Sequence, residues 1–91
     1  MELLWTSKAL SDLTRLHEFL AAVNEPAAAR TVRSLTNASA RLVLNPRIGE
    51  RLAEFDPREI RRILIGRYEL RYEVVQSKIY VLRLWHTREE R

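Results

Sequence analysis

The sequence predicts an α+β fold of order β-α-α-β-β-β, in which an N-terminal strand and an antiparallel helix hairpin pack on one face of a mainly antiparallel sheet. Two observations support this prediction. Apolar residues recur at helical spacing before Gly49, and after Gly49 the apolar period changes to that of a strand. Because a chain of 91 residues has room for only one hydrophobic core, residues 1–91 are expected to form a single domain.

The first segment is predicted to be a short strand followed by a helix. Leu3–Trp5 is a short apolar run. Thr6 or Ser7 can cap the helix, because a hydroxyl oxygen accepts a hydrogen bond from a free N–H group of the first turn. We expect one face of the helix to pack on the sheet, with His17 at the edge of the core. This face is marked at helical spacing by Leu10, Leu13, His17, Leu20 and Val23.

A second helix is predicted to follow almost at once. Asn24 is a suitable N-cap, and Pro26 falls in the first turn, where proline is tolerated. Asn45-Pro46 is expected to stop this helix. Since the link between the two helices is so short, they must lie as an antiparallel hairpin. The apolar stripe of the second helix consists of Ala28, Val32, Leu35 and Leu42.

The C-terminal half is predicted to form strands, because apolar and polar residues alternate there. Every second residue from Tyr68 to Val74 is apolar, and we expect Tyr68 and Tyr72 in the core. The last strand is apolar on both faces, which is typical of an interior position in a sheet. The segments are a strand at 62–65, a strand at 68–74, a turn at Gln76–Lys78, a strand at Ile79–Trp85 and, as a candidate for a further short strand, Leu52–Phe55.

The net charge of +4 comes mostly from arginine, and lysine occurs only at Lys8 and Lys78. A planar guanidinium group suits phosphate and carboxylate better than a point charge does, although an arginine-rich composition also follows simply from a GC-rich genome. The basic residues are spread almost evenly along the chain. Only a cluster of particular arginines can therefore make a binding site.

Several kinds of site and location are not expected. The chain has no cysteine, and His17 and His86 are its only histidines, so we expect no disulfide, no metal site and no cofactor. A glycine-rich phosphate loop is also absent from the sequence. No apolar run approaches the roughly 20 residues that cross a bilayer, and the N-terminus becomes polar too soon for a signal peptide. We therefore expect a soluble, cytoplasmic protein.

Two segments near the C-terminus are the most informative. Arg61–Tyr72 contains an Arg-Arg strand and a Tyr-x-apolar-x-Tyr strand, and Val81–Arg88 is an apolar strand that ends in His-x-Arg. In this order they resemble the C-terminal half of the RelE/ParE toxins of bacterial type II toxin–antitoxin systems. Further similarities, which extend the resemblance to nearly the whole chain, are Trp5, the helix near Ala9 and Asp12-Leu13, and Asn45-Pro46 before Gly49.

The resemblance implies a toxin that arrests growth, as in systems that stabilise plasmids. It also implies a cognate antitoxin with a disordered, acidic and amphipathic tail, which lays a helix along the helix hairpin and often a strand against the sheet. A basic domain attracts such a segment. No membrane partner and no small-molecule ligand are expected.

The superfamily divides by target. RelE-like members are ribosome-dependent mRNA endoribonucleases that hold phosphate with basic residues of the sheet and need no metal, because the 2′-hydroxyl of RNA is the nucleophile. ParE-like members bind DNA gyrase and are not known as nucleases. This chain has no tyrosine after Tyr80 and little lysine on its strands, and the ending Leu82–Arg88 is more similar to ParE. We favour DNA gyrase as the target, with ribosome-bound mRNA as the alternative and a non-toxic binding module as a third possibility.

The resemblance nominates residues for either mechanism without making any catalytic residue firm. For a ribonuclease, arginines of the sheet would hold phosphate and a residue at the strand end would serve the reaction; the candidates are Arg62, Arg71, Arg83, His86 and Arg88. For a gyrase ligand, the candidates for target contact are Arg61, Arg62, Arg83, Trp85, His86 and Arg88.

Two of these candidates lie at the end of the last strand. His86 has the side chain that best serves as acid or base near neutral pH, but a histidine in this place is more often a structural hydrogen-bonding residue. Trp85 alternates with Leu84 and is interpreted as exposed, which would make it part of a partner surface.

The arginine candidates depend on how the strands pair. Arg71 and Arg83 lie on adjacent strands, where they either form a shared patch or pair with neighbouring glutamates. Strand alternation lets only one of Arg61 and Arg62 face any given site. The sequence alone leaves both questions open.

Overall fold

The computed structural model describes residues 1–89, which form two helices packed on one five-stranded sheet. The strand order is β1-β5-β4-β3-β2; β1 runs parallel to β5, and the other neighbouring pairs are antiparallel. The predicted α+β fold is confirmed. In chain order the elements are β1 (Glu2–Trp5), α1 (Ser7–Ala21), α2 (Glu25–Arg41), β2 (Glu50–Arg51), a 3₁₀ helix (Ala53–Phe55), β3 (Ile60–Ile65), β4 (Tyr68–Val75) and β5 (Lys78–His86).

Side-chain caps begin both helices. The Thr6 hydroxyl accepts a hydrogen bond from the Ala9 N–H at 3.2 Å and donates one to the Val81 carbonyl at 2.8 Å, which ties the start of α1 to β5. The Asn24 side chain accepts from the Ala27 N–H at 3.1 Å and begins α2. Both predicted caps are confirmed. They could be predicted because each capping hydrogen bond joins residues that are close in the sequence.

The apolar face predicted for α1 is wrong by part of a turn. Leu10 and Val23 are 49% and 86% exposed, and α1 ends at Ala21. The buried residues are instead Ala9, Asp12 and Leu16, with Leu13 and Leu20 partly buried against the core. Leu13 and Leu20 are compatible with both the predicted face and the observed buried face of α1, so their spacing does not determine which face packs on the sheet. The choice is made by Asp12, whose carboxylate bonds to β5.

Helix α2 closes the core from the same side as α1. It ends at Arg41, before the stop that the sequence predicted at Asn45-Pro46, and the buried Leu42 caps it. Within residues 1–89 no helix is both long and apolar enough to pass through a membrane. The residues that α2 buries are Ala28, Leu35, Ala38 and Ser39.

The strand expected at Leu52–Phe55 is wrong. The strand lies just before it, at Glu50–Arg51, and the chain after Leu52 forms a turn of 3₁₀ helix. Leu52 donates its N–H to the Ile60 carbonyl at 2.8 Å, and the Phe55 N–H bonds back to the Leu52 carbonyl at 3.2 Å. Leu52 therefore still bonds to β3, and the local bond of Phe55 then turns the chain into the 3₁₀ helix.

Tyr72 is wholly buried, as predicted, and joins the sheet to the loop that follows α2. Its hydroxyl donates to the Pro46 carbonyl at 2.8 Å and accepts from the Gly49 N–H at 3.0 Å. A Cβ at Gly49 would lie 2.6 Å from the Tyr72 hydroxyl oxygen and 2.7 Å from the Arg62 carbonyl oxygen. Only glycine fits this close approach. Tyr68 packs against the core but is only partly buried.

A β-bulge in β5 decides which way its last residues face. The register with β4 shifts between Arg71 and Tyr72, which leaves Leu82 as an extra residue in β5. Before Leu82 the odd-numbered residues of β5 enter the core, and after it the even-numbered residues do. Leu84 is therefore in the core, while Arg83 lies on the open face, the face of the sheet away from the helices.

Candidate functional site

Three arginines lie side by side on the open face. Arg62 of β3 is registered opposite Arg71 of β4, and Arg71 is registered opposite Arg83 of β5. We call these three residues the arginine row. The row answers the question left open by the sequence: Arg71 and Arg83 do share a face, and Arg62 joins them.

Each guanidinium group of the arginine row donates hydrogen bonds to a carboxylate. A hydrogen bond to Glu50 raises the pKa of Arg62, and a hydrogen bond to Asp12 raises the pKa of Arg83. Glu69 is only 1% exposed. Three carboxylates therefore compensate the three positive charges of the row. The pairs are Arg62 Nε with Glu50 Oε1 at 2.8 Å, Arg71 Nη2 with Glu69 Oε2 at 3.2 Å, and Arg83 Nε with Asp12 Oδ2 at 2.8 Å.

Trp85 is buried, so its interpretation as an exposed partner surface is wrong. Only 6% of the residue is exposed. The guanidinium carbons of Arg71 and Arg83 lie 5.0 Å and 5.5 Å from the centre of its ring, and Arg71 also lies 5.4 Å from the centre of the Phe55 ring. Cation–π contacts of this kind hold the arginines over the indole and cover it.

Asp12 is a member of this site that the sequence analysis did not identify as a functional candidate. It is 6% exposed, and its Oδ2 accepts hydrogen bonds from the Leu84 N–H at 2.9 Å and from Arg83 Nε at 2.8 Å. Strand β1 ends at Trp5, opposite Val81, and Asp12 therefore supplies the acceptor that β1 no longer provides. The sequence feature that could have identified Asp12 is that it is a lone carboxylate on the apolar side of α1.

His86 lies on the opposite side of the sheet from the arginine row. It is registered opposite Tyr68, with the two rings edge to face at 5.3 Å. Its Nδ1 accepts a hydrogen bond from the Arg88 N–H at 3.0 Å, so the neutral imidazole carries its proton on Nε2. His86 borders a cavity of about 640 Å³ between α1 and the end of β5, the His86 cavity, lined by Arg15, Leu16, Phe19, Leu20, Tyr68, His86, Arg88 and Glu89.

The His86 cavity has an apolar floor and a charged rim. Burial raises the pKa of Tyr68 in its wall, and Phe19 is 73% exposed at its mouth. Arg15 donates two hydrogen bonds to Glu89, at 3.1 Å and 3.3 Å, which raise the pKa of Arg15. Among residues 1–89 the side chain of Arg88 has no ion-pair partner. The cavity can accommodate an apolar group beside an anionic one.

Arg61 points away from the arginine row, as strand alternation requires. Its side chain is 15% exposed and donates to Glu59 at 2.8 Å and to the Gly49 carbonyl at 2.7 Å. Burial opposes ionisation of Glu59, but hydrogen bonds from Arg47 and Arg61 outweigh it and lower the Glu59 pKa. Arg61 therefore holds the loop before β2.

The structure thus divides the sequence candidates between two places. Arg62, Arg71 and Arg83 meet on the open face, whereas His86 and Arg88 lie at the His86 cavity on the helix side. His17 is half-buried on α1. In the part of the chain that the structure describes, no group of three His, Asp or Glu side chains is arranged to hold a metal ion.

Known proteins match this chain over nearly its whole length. The family model described as the ParE toxin of the parDE type II toxin–antitoxin system matches residues 3–91. Toxin RelE2 of Caulobacter vibrioides is 31% identical over 85 residues, which cover 93% of each chain. A structure of the chromosomal ParDE TA system from P. aeruginosa superposes with a TM-score of 0.79 at 21% identity, over 94% of this chain and 95% of that one, and shows that the fold is shared.

Proposed function

The chain belongs to the ParE toxin family and is the toxin component of a type II toxin–antitoxin system, and we propose that it arrests growth by binding and inhibiting DNA gyrase. Membership of the family also implies a cognate antitoxin as a partner. Gyrase acts in the bacterial cytoplasm, so the proposal places the toxin there as well.

The separation of the arginine row from His86 is the observation that carries this proposal. A metal-independent ribonuclease needs cations that hold phosphate and a group that moves a proton at the same site. Here the row lies on one face and His86 on the other, with its Nδ1 already accepting a hydrogen bond from Arg88. The arginines of the row are also paired with carboxylates. This arrangement suits a protein ligand better than a nuclease.

We place the gyrase contact at the His86 cavity. Arginine and aromatic residues are enriched among those that dominate binding at protein interfaces. The rim offers Arg88, which lacks an ion-pair partner within residues 1–89, and Phe19, which is largely exposed. Arg62 and Arg83 are partly exposed but are held by Glu50 and Asp12, so they contribute less to such a contact.

The experiment that tests the proposal is a supercoiling assay with purified gyrase and purified toxin, run beside an assay of mRNA cleavage on translating ribosomes. We expect inhibition of supercoiling that the cognate antitoxin reverses, and gyrase-dependent DNA breaks in induced cells. Cleavage of ribosome-bound mRNA together with unimpaired supercoiling would overturn the proposal.

A RelE-like ribosome-dependent endoribonuclease is the second candidate, and the alignment of Arg62, Arg71 and Arg83 in one row favours it. In that case a phosphate would displace Glu50, whose side chain is 63% exposed, from Arg62. The variant Arg62→Ala would then abolish mRNA cleavage, whereas a gyrase inhibitor would keep most of its activity.

A further inference from the structure

The His86 cavity brings together three hydrogen-bond donors that lack an acceptor. The side chains of Tyr68, His86 and Arg88 all line it. Neither the Tyr68 hydroxyl nor the Arg88 guanidinium group donates a hydrogen bond to another group of residues 1–89. His86 Nδ1 accepts a hydrogen bond from the Arg88 N–H at 3.0 Å, so the proton lies on Nε2, which also has no acceptor in the described part of the chain. Several donors at one cavity favour a ligand that brings an anionic acceptor.

The rest of the His86 cavity is apolar and has the size of a small-molecule site. Its volume is about 640 Å³, and cavities that bind small molecules measure roughly 300–1,000 Å³. Leu16 is buried at the cavity and Leu20 is partly buried against the core. Phe19 is 73% exposed at the mouth. The apolar body of a ligand can therefore leave water here, beside the three donors.

The rim of the cavity carries an excess of positive charge. Arg15 donates two hydrogen bonds to Glu89, at 3.1 Å and 3.3 Å, so the cation without an ion-pair partner among residues 1–89 is Arg88. A second copy of the chain, docked through the same cavity, would bring another Arg88 against the first. A carboxylate, by contrast, matches the planar guanidinium group in both charge and geometry.

We propose that the His86 cavity binds a small amphipathic carboxylate, either a medium-chain fatty acid or an aromatic acid. The carboxylate pairs with Arg88 and accepts hydrogen bonds from Tyr68 and His86, while the apolar body lies against Leu16 and Phe19. No small-molecule ligand was expected from the sequence, because α1 and β4 join the end of β5 only in the folded chain. Binding of the ligand is independent of the proposed function. Its expected consequence, competition with gyrase for the same cavity, rests on that function.

A titration of the purified toxin, followed by NMR of the methyl groups, tests the site. Octanoate and naphthoate are the two probes, octanol is the neutral match of octanoate, and acetate lacks the apolar body. We expect octanoate to shift the methyl signals of Leu16 and Leu20 to saturation, and to bind about fivefold more tightly than octanol, since an exposed ion pair adds only modestly to affinity. Acetate should not bind. The tighter of octanoate and naphthoate identifies the ligand as aliphatic or aromatic.

Three outcomes of the titration would refute the proposal. The first is that neither octanoate nor naphthoate binds, and the second is that octanoate and octanol bind equally well. The third is that octanoate shifts the methyl signals of Leu64 as strongly as those of Leu16. Leu64 is 63% exposed and does not line the His86 cavity, so equal shifts would mean adsorption to apolar surface in general.

Variants separate the charged contact from the apolar one. Arg88→Ala should lower the affinity for octanoate by about fivefold, to that of octanol, and leave octanol binding unchanged. Arg88→Lys keeps the charge and should retain part of the difference. Phe19→Ser should weaken octanoate and octanol by the same factor, because it removes only apolar contact. Arg30→Ala, at an exposed position of α2, is the control. An effect of Arg88→Ala no larger than that of the control would contradict the proposal.

Two further measurements distinguish this inference from the proposed function and from another occupant. If octanoate binds but the toxin does not inhibit gyrase, the target is wrong and the ligand site remains. If octanoate binds and inhibition of gyrase is unaffected by it, the site remains and the gyrase contact lies elsewhere. If the cognate antitoxin shifts the methyl signals of Leu16 and Leu20 and octanoate does not, the cavity accommodates a protein segment and the inference is wrong.

Discussion

The arginine row and the His86 cavity lie on opposite faces of the sheet, and their charged side chains are paired to different extents. In the row, carboxylates compensate the guanidinium groups, and Trp85 lies beneath two of them. In the cavity, the side chain of Arg88 has no ion-pair partner within residues 1–89, and the exposed phenyl ring of Phe19 lies at the mouth. An arginine cluster in a basic domain is therefore not by itself evidence of a binding site. The side chains left without partners are better candidates for recognition.

The largest loss of stability is expected from Asp12→Ala, which removes the carboxylate that bonds to Arg83 and to the Leu84 N–H. A buried donor and an arginine would lose their acceptor, so the free energy of unfolding should fall by about 2–4 kcal/mol. Denaturant unfolding monitored by circular dichroism measures it. The control Ser11→Ala changes an exposed residue of the same helix. A loss for Asp12→Ala no greater than that of the control would mean that the row is not structural.

The next largest effect is expected from Arg88→Ala at the rim of the His86 cavity. Because Arg88 is exposed and has no ion-pair partner within residues 1–89, stability should be unchanged. Toxin potency in the supercoiling assay should fall by about tenfold, the effect of losing about 1.4 kcal/mol of binding energy. Arg30→Ala, at an exposed position of α2, is the matched control. Equal potency of the two variants would remove the cavity from the proposed contact.

A smaller effect is expected from pH, through one tyrosine in the core and one in the cavity wall. Burial raises the pKa of both Tyr72 and Tyr68. The folded state therefore favours the neutral phenols, and the stability they contribute is complete below about pH 10 and is lost as the pH rises above it. Tyr72→Phe should reduce this alkaline loss more than Tyr68→Phe, because Tyr72 is wholly buried. Unfolding curves between neutral and alkaline pH measure this loss. A larger reduction for Tyr68→Phe than for Tyr72→Phe would contradict the prediction.

The smallest effect is expected from Glu89→Gln, which breaks the ion pair with Arg15 at the cavity rim. The side chains of Arg15 and Glu89 are 53% and 33% exposed, so water screens the pair and the free energy of unfolding should change by about 0.5 kcal/mol or less. Thermal unfolding at two salt concentrations measures this change. A destabilisation as large as that of Asp12→Ala would show that the cavity rim stabilises the fold as much as the arginine row does.

Features that depend on near neighbours in the chain can be predicted from the amino-acid sequence alone. The hydroxyl of Thr6 and the amide of Asn24 cap helices through residues three positions away. The alternation between Tyr68 and Val74 sets the two faces of β4, and the change of period after Gly49 separates helices from strands. Resemblance to a toxin family was visible for a related reason, since its motifs are short segments in a fixed order.

The faces that the functional candidates occupy depend instead on contacts between distant segments of the folded chain. Strand β5 is apolar on both faces, so its pattern fits either orientation, and the extra residue at Leu82 sets the choice through pairing with β4. With this register, Trp85 is buried against the arginine row and His86 lies on the helix side of the sheet. The face of α1 was decided in the same way, by Asp12 reaching the uncovered edge of β5. Strand register and the covering of a sheet edge depend on contacts between residues that are distant in the chain. The local periodicity of a sequence therefore does not predict them.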